Sequence, residues 1–334
     1  MRKNLWDAFI SSENFAAALR NAIRGKKTKP AIARFLENAA ENLESIRQSV
    51  MRGEFKTSEY RTMEITDPKP RTIYILPFAP DRIVHHAIMN ILASRWTRRF
   101  IRDTYACIPG RGLHAASRRA MQFCRRNKYV LKCDVRKFYP SIDHNIMFEI
   151  IKKYVPDQKL RDLLRDIIYS VNGGKNMPIG NLCSQWMGNL YLNELDNFAK
   201  YELGVRDYLR YSDDFCLFSD DKKQLGEWRA KIGEFLTARL GLCFSKSEIF
   251  PVADGLDFVG YRHFKDFVML RKRTARRIRD RMRKIGEITD ETRGQIASAR
   301  GWLKHACSYN FRKSIGMDKL LAMRQLCFST VVLT

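Results

Sequence analysis

Tyr208 to Asp221 reads YLRYSDDFCLFSDD, and the adjacent pair Asp213-Asp214 at its centre decides how the rest of the chain is read. Leu209 and Tyr211 before it, and Phe215 and Leu217 after it, alternate with the period of a strand. The spacing predicts two strands meeting at a tight turn, with Ser212, Asp213 and Asp214 at its tip. Neighbouring carboxylates repel and favour a bound cation, although Asp-Asp in a turn is also ordinary turn chemistry. The surroundings sharpen the question, because the 334 residues carry 61 Lys and Arg against 36 Asp and Glu, a net charge of +25. Such an excess predicts a polyanionic partner, nucleic acid first, through counterion release and steering.

A second acidic position stands upstream. The run YVLKCDVRKFYPSIDH, residues 129–144, predicts a short buried strand that ends near Asp134, then a proline and a capped helix start. If this strand pairs with the Asp213-Asp214 hairpin, three carboxylates converge at one end of a sheet. Hard oxygen ligands so placed suit Mg²⁺, which keeps waters and takes phosphate oxygens from a substrate. Two such ions, roughly 3.5–4 Å apart, activate an attacking hydroxyl and stabilise a leaving oxygen.

Farther out, residues 1–60 predict an N-terminal helical segment, since apolar residues recur there at spacings of three and four. Residues 58–78, SEYRTMEITDPKPRTIYILPF, shift to period two around a turn at Asp67-Pro68-Lys69-Pro70, and a helix follows in DRIVHHAIMNILASRWTRRFI. After GLDFVGYRHF the pattern is helical to the end, and residues 271–284, RKRTARRIRDRMRK, hold nine basic residues and one acidic, distributed all around a helix. With no repeat or low-complexity linker, the chain reads as one multi-lobed unit in three parts, 1–60, 61–262 and 263–334.

The eight cysteines lie among apolar neighbours with no CxxC pair, so they are expected to be reduced core thiols. His85, His86 and His114 lack ligand partners at metal spacing and are expected to be packed or hydrogen-bonded. No apolar run reaches 18 residues and MRKNLWDAFISSENF lacks a signal-peptide core, so a cytoplasmic protein without membrane association is expected.

Five words in order, KCDVRKFYPSID, MPIGNLCSQWMGNLYLNELD, YSDD, GLCFSKSEIFPV and LDFVGYRHF, resemble the successive motifs of reverse transcriptases. Upstream, KPRTIYILPFAPDRIVHHAI and TYACIPGRGLHAA are similar to the fingers motifs of that family, so the resemblance spans about residues 65 to 265. It implies an α+β right-hand polymerase, with fingers, a palm of antiparallel sheet and helices, and a short helical thumb. The activity implied is RNA-directed DNA synthesis with two Mg²⁺ ions, Mn²⁺ being a substitute. The partners implied are dNTPs, a template RNA and its RNA/DNA hybrid.

Residue by residue, the resemblance makes Asp134 and Asp213 the principal metal ligands, with Asp214 and the backbone carbonyl of Val135 in support. Tyr139 falls at the position where a flat ring beneath the sugar excludes a 2′-hydroxyl, the other reading of Phe138-Tyr139 being core packing. Lys69 and Arg71 match cations that clamp the incoming triphosphate. Lys246 matches a lysine that protonates departing pyrophosphate, or is a surface lysine. Ile179, Gly180 and Gln185 fall beside the nascent pair, with Gly180 allowing close backbone approach, and Ser184 is either a template contact or a helix cap. Phe258, Gly260 and Tyr261 look like the primer grip, and Arg271, Arg273, Arg276 and Arg277 are set to follow the nucleic-acid backbone.

The words IGNLCSQ and TYACIPGRGLHAA are most similar to reverse transcriptases of diversity-generating retroelements, in which the enzyme misincorporates opposite template adenines and works with a small basic accessory protein. Ser212 departs from the Met usual in that family, and the alternative is the neighbouring bacterial antiphage-defence enzymes, which vary at this position and many of which copy a dedicated noncoding RNA. Either implies a bacterial or phage origin and a nearby gene for an accessory protein or RNA. No room is expected after residue 265 for an integrase, maturase or RNase H segment. The rivals of another class are a non-catalytic RNA-binding scaffold and a metal nuclease.

Overall fold

The computed structural model describes residues 4–66, 70–286 and 289–318. Four helices open the chain, α1 (Leu5–Phe9), α2 (Ser12–Ile23), α3 (Pro30–Glu37) and α4 (Ala39–Met51). Ser11 starts α2 by accepting the Asn14 amide at 3.2 Å, and Phe15, Ala18 and Ala22 place one apolar face inward. An antiparallel hairpin follows, β1 (Arg61–Ile65) and β2 (Arg71–Ile75), in the register Arg61↔Ile75 to Ile65↔Arg71. Lys69 and most of the turn that carries it lie outside the described residues. Helix α5 (Ile83–Thr97) is apolar on most sides and is packed inside accordingly, with Ile83, Val84, Ala87, Ile88, Leu92 and Trp96 buried.

Helix α6 (Leu113–Arg126) leads to β3 (Tyr129–Val135), the short α7 (Phe138–Ser141), α8 (His144–Tyr154), α9 (Gln158–Ile168) and α10 (Leu182–Asn197). Then come β4 (Asp207–Tyr211), β5 (Asp214–Ser219), α11 (Lys222–Leu240) and β6 (Phe244–Pro251). The four strands form an antiparallel sheet in the order β4-β5-β3-β6, with β3 and β5 inside. Alternation divides its faces. Leu131, Cys133, Val135, Phe215 and Leu217 enter the main core with α10, whereas Val130, Leu209, Cys216 and Phe218 pack under Ala116, Ala120 and Phe123 of α6. Lys132 and Asp134 share the α6 face.

A second small sheet joins β7 (Leu256–Phe258), β8 (Tyr261–His263) and β9 (Val268–Leu270), ahead of α12 (Lys272–Arg283), α13 (Asp290–His305) and α14 (Tyr309–Ser314). The sequence pattern turns helical after residue 264, and β9 corrects it. Three residues paired to β8 carry too little periodicity to be read locally. Nor does α12 carry charge all around, because Thr274, Ile278 and Met282 form a buried stripe four residues apart that packs with Ile296, Ala299 and Leu303 of α13. The cysteine expectation holds for Cys124, Cys133, Cys183 and Cys216 but not for Cys107, Cys243 and Cys307, which are exposed, and Cys327 lies outside the described residues. Those three occupy loops, where an apolar neighbourhood in sequence does not become a core.

Candidate active site

Pairing of β3 with β5 sets Asp134 directly opposite Asp214, and pairing of β4 with β5 sets Tyr211 opposite Asp214. Two residues, Ser212 and Asp213, therefore close the hairpin, and Ser212 takes the left-handed conformation, φ +58°, that a two-residue turn requires at its first position. On its other side Asp134 faces Lys246 of β6, and the register shifts by a bulge between Asp134 and Val135. Asp134, Asp214 and Lys246 thus share one row on the α6 face. Ser245 donates its hydroxyl to Asp134 Oδ2 at 2.6 Å. Lys132 Nζ stands 3.7 Å from Asp214 Oδ1 and donates to the Asp257 carbonyl at 2.8 Å, and Arg271 is ion-paired with Asp257.

Burial pushes the Asp214 carboxyl up to about 6, opposed by Lys132 and reinforced by the charges of Asp134 and Asp213. Burial likewise raises Asp213, the Asp134 charge adding to it while Ser212 and Arg71 act against it. A folded-state value above the ordinary one means that the fold holds these protons more tightly than the unfolded chain does. For Asp214 this contribution to stability is complete below about pH 4 and is lost as pH rises through 6. In chelator, thermal unfolding of the wild type is expected to shift downward over that interval, with a shallower slope in Asp214→Asn; identical slopes would show that Asp214 does not titrate there.

The donor set suits a hard divalent cation, since mutually repelling, partly buried carboxylates are relieved by one. No three His, Cys, Asp or Glu side chains among the described residues already form a closed cage. Asp134, Asp213 and Asp214, with the carbonyl of Val135, would hold an ion as a partial set, leaving positions for water and phosphate oxygens.

Arg71, exposed at the start of β2, lies near enough to Asp213 to lower its carboxyl. Phe138 is buried and Tyr139 is partly buried beside Ser212 and Asp213. A Cβ on Gly188 of α10 would come within 3.2 Å of both rings. Gln185 is exposed on α10, whereas Ser184 is buried with its hydroxyl unpartnered, so it neither caps the helix nor reaches a template. Gly180, exposed on one side, allows a close backbone approach within the protein on the other. Its φ is +116°, a Cβ there would stand 2.8 Å from the Tyr74 carbonyl of β2, and the Tyr74 amide donates to the Ile179 carbonyl at 2.8 Å.

The grip expectation narrows in the same way. Phe258 and Tyr261 are register partners on one face of the β7–β8 hairpin and are fully buried, so their rings cannot meet a primer. The turn Val259-Gly260 is partly exposed, and Gly260, φ +85°, sits where a Cβ would come within 2.7 Å of Trp302. Tyr261 Oη donates to the Trp302 carbonyl at 3.2 Å and lies 2.9 Å from His114 Nε2. Ser117 Oγ lies 2.6 Å from His263 Nε2 and 2.7 Å from His305 Nε2. This histidine cluster ties α6, β8 and α13 together. Arg273, Arg276 and Arg277 are exposed and, with Arg281 and Lys284, line a cavity of about 620 Å³ between α12 and α13. None of the three carboxylates lines it.

Lys132, Ser245 and Arg210 escaped the sequence reading. Lys132 was within reach, because two positions along a strand return to the same face. Ser245 was not, since its approach to Asp134 depends on the bulge. Nor was Arg210, whose side chain lies on the core face among partners from α10.

Residues 66–263 match the family model described as reverse transcriptase (RNA-dependent DNA polymerase). The group II intron-encoded protein LtrA of Lactococcus lactis subsp. cremoris is 24% identical over 169 residues, which is 48% of this chain and 28% of that one. An uncharacterized 91 kDa protein in the cob intron of Schizosaccharomyces pombe is 22% identical over 139 residues, 38% of this chain and 17% of that one. The matched segments thus cover less than a third of these relatives' own length. Among solved structures, apo telomerase from Candida tropicalis shares the fold at a TM-score of 0.50 and 11% identity, covering 72% of this chain and 54% of that one. A form truncated from its C-terminal domain gives 0.50 at 11%, covering 70% and 60%. The antiparallel sheet that aligns Asp134 with Asp214 is therefore a polymerase palm, and this chain belongs to the reverse transcriptase (RNA-dependent DNA polymerase) family.

Proposed function

We propose that this protein is an RNA-directed DNA polymerase that copies a dedicated template RNA into cDNA, with Mg²⁺ as its cofactor and Mn²⁺ as a substitute. The observation that carries the reading is the register Asp134↔Asp214 with Asp213 in the adjoining turn, which gathers three carboxylates at one end of a sheet in a chain of net charge +25.

When bound there, two divalent ions would lower the pKa of a primer 3′-hydroxyl and neutralise charge on the phosphates. The rest falls to the protein. Arg71 and Lys69 clamp the triphosphate, and Tyr139, backed by Gly188, walls off the 2′ side of the sugar. Lys246 gives a proton to the departing pyrophosphate, a role supported by its exposure in the same row as Asp134. The exposed arginines of α12 follow phosphates without reading bases. Arg271, paired with Asp257, links that helix to β7 instead. The test is primer extension on an RNA template with dNTPs and Mg²⁺; no incorporation by the pure protein or by its complex with the host-encoded RNA would overturn the reading.

The finer reading is an error-prone enzyme of a diversity-generating retroelement, acting with a basic accessory protein. Its support is Ile179, an apolar residue where an amide would otherwise hydrogen-bond near the nascent pair, in a loop pinned to β2. Wild type is expected to misincorporate opposite template adenines. Ile179→Gln is expected to lower that rate about fivefold, the value of one hydrogen bond of about 1 kcal/mol. Sequencing of the cDNA decides, and accurate copying of adenines that the substitution leaves unchanged would exclude the idea. Ser212 favours a second reading, an antiphage-defence enzyme copying a short noncoding RNA faithfully or repetitively.

A further inference from the structure

Arg210 lies three residues before Asp213, and its side chain is completely buried. Paired with Phe215 in the β4–β5 ladder, it points to the core face, away from Asp214. A guanidinium brings five N–H donors into that core, and every one of its nitrogens has an acceptor. Nε donates to Asp196 Oδ1 at 2.7 Å and Nη2 to Asp196 Oδ2 at 2.6 Å, a bidentate pair with α10. Nη2 also reaches the Asn189 carbonyl at 3.3 Å, and Nη1 reaches Asn189 Oδ1 at 3.2 Å and the Ser212 carbonyl at 2.9 Å. Asp196 accepts two further bonds, from Tyr208 Oη at 2.7 Å and Thr104 Oγ1 at 2.8 Å.

A buried pair so fully satisfied is tolerated, but stability alone does not call for it, because apolar residues of similar volume commonly serve a core as well or better. One bond of this network leaves the core. Its acceptor, the Ser212 carbonyl, belongs to the peptide plane shared with Asp213, and Ser212 itself holds a left-handed conformation that a side-chain-bearing residue seldom adopts. Fixing that carbonyl fixes the plane from which the Asp213 side chain departs. Helix α10 is a suitable anchor, because it also backs Tyr139 through Gly188 and begins beside the loop docked on Tyr74.

We propose that Arg210, held by Asp196 and Asn189, is a positioning residue that clamps the Ser212 carbonyl and thereby aims the Asp213 carboxylate. Its kinetic readout rests on the polymerase reading above; its binding readout does not. Arg210→Lys keeps the charge but cannot hold Asp196 with a fork and reach Ser212 as well. A double variant, Arg210→Met with Asp196→Leu, removes the pair without stranding either charge. Three quantities are measured for each: the thermal unfolding midpoint, Mn²⁺ binding by the protein alone in a calorimeter, and kcat and KM for dNTP in primer extension.

The expected result is a folded variant whose Mn²⁺ affinity and kcat each fall about tenfold while KM for dNTP stays within about twofold, the pattern of a misaimed carboxylate. Unchanged Mn²⁺ affinity and kcat in a folded variant would overturn the proposal. So would failure of both variants to fold, which would make the pair structural. A wild type that binds Mn²⁺ but incorporates no dNTP refutes the polymerase reading, and the Mn²⁺ comparison then decides the clamp by itself.

Discussion

Asp213→Asn is expected to reduce primer extension on an RNA template about a thousandfold while leaving the protein folded and able to bind RNA. The amide is nearly isosteric, so the two-residue turn and the Arg210 bond to the Ser212 carbonyl have no steric reason to change. What disappears is a negative charge at the point where the sheet gathers three of them. Burial and the Asp134 charge both raise the Asp213 carboxyl, so the neutral substitution removes a repulsion. In the absence of metal the variant is expected to unfold no earlier than wild type at pH 7. Such a combination, stability kept and synthesis lost, separates an enzyme from a scaffold: an unchanged biological phenotype with the variant would show that the carboxylates are not used for chemistry. Incubation of labelled nucleic acid with Mg²⁺ and no dNTP, which should leave it intact, addresses the nuclease alternative in the same preparation.

Gly180→Ala is expected to destabilise the protein by about 2–5 kcal/mol, the largest effect on stability foreseen for a single methyl group here. Two costs add. At φ +116° an L-residue is strained wherever it points, and the new Cβ would stand 2.8 Å from the Tyr74 carbonyl, a backbone atom that cannot rotate aside. Relief would require the loop before α10 to lift from β2, breaking the Tyr74 amide bond to Ile179 and straining that from Asn176 Nδ2 to Tyr74 Oη, which is 2.8 Å. Denaturant unfolding measures the loss. Gly188→Ala provides a contrast, because its Cβ would meet only side-chain rings, at 3.2 Å, and a smaller cost is expected. A change below about 0.5 kcal/mol at Gly180 would mean that the loop and the β1–β2 hairpin are not rigidly coupled.

The amino-acid sequence alone determined the hairpin that carries Asp213 and Asp214. Alternation across Leu209, Tyr211, Phe215 and Leu217 and a polar pair between them are local features, and a two-residue turn converts them directly into a structure with Asp213 and Asp214 at its end. It determined the strand carrying Asp134 for the same reason, and by ordered motifs it determined the family. Tertiary structure alone decided which atoms meet. Pairing across about eighty residues of chain aligns Asp134 with Asp214, a bulge brings Ser245 to Asp134, and packing on α10 turns Arg210 toward Ser212. It also turned Phe258 and Tyr261 inward, brought Gly180 against the Tyr74 carbonyl, and left Cys107, Cys243 and Cys307 outside the core. Register, bulges and burial are set by contacts between segments far apart in the chain, and a pattern of near neighbours carries no record of which distant segment will supply the other half of each contact.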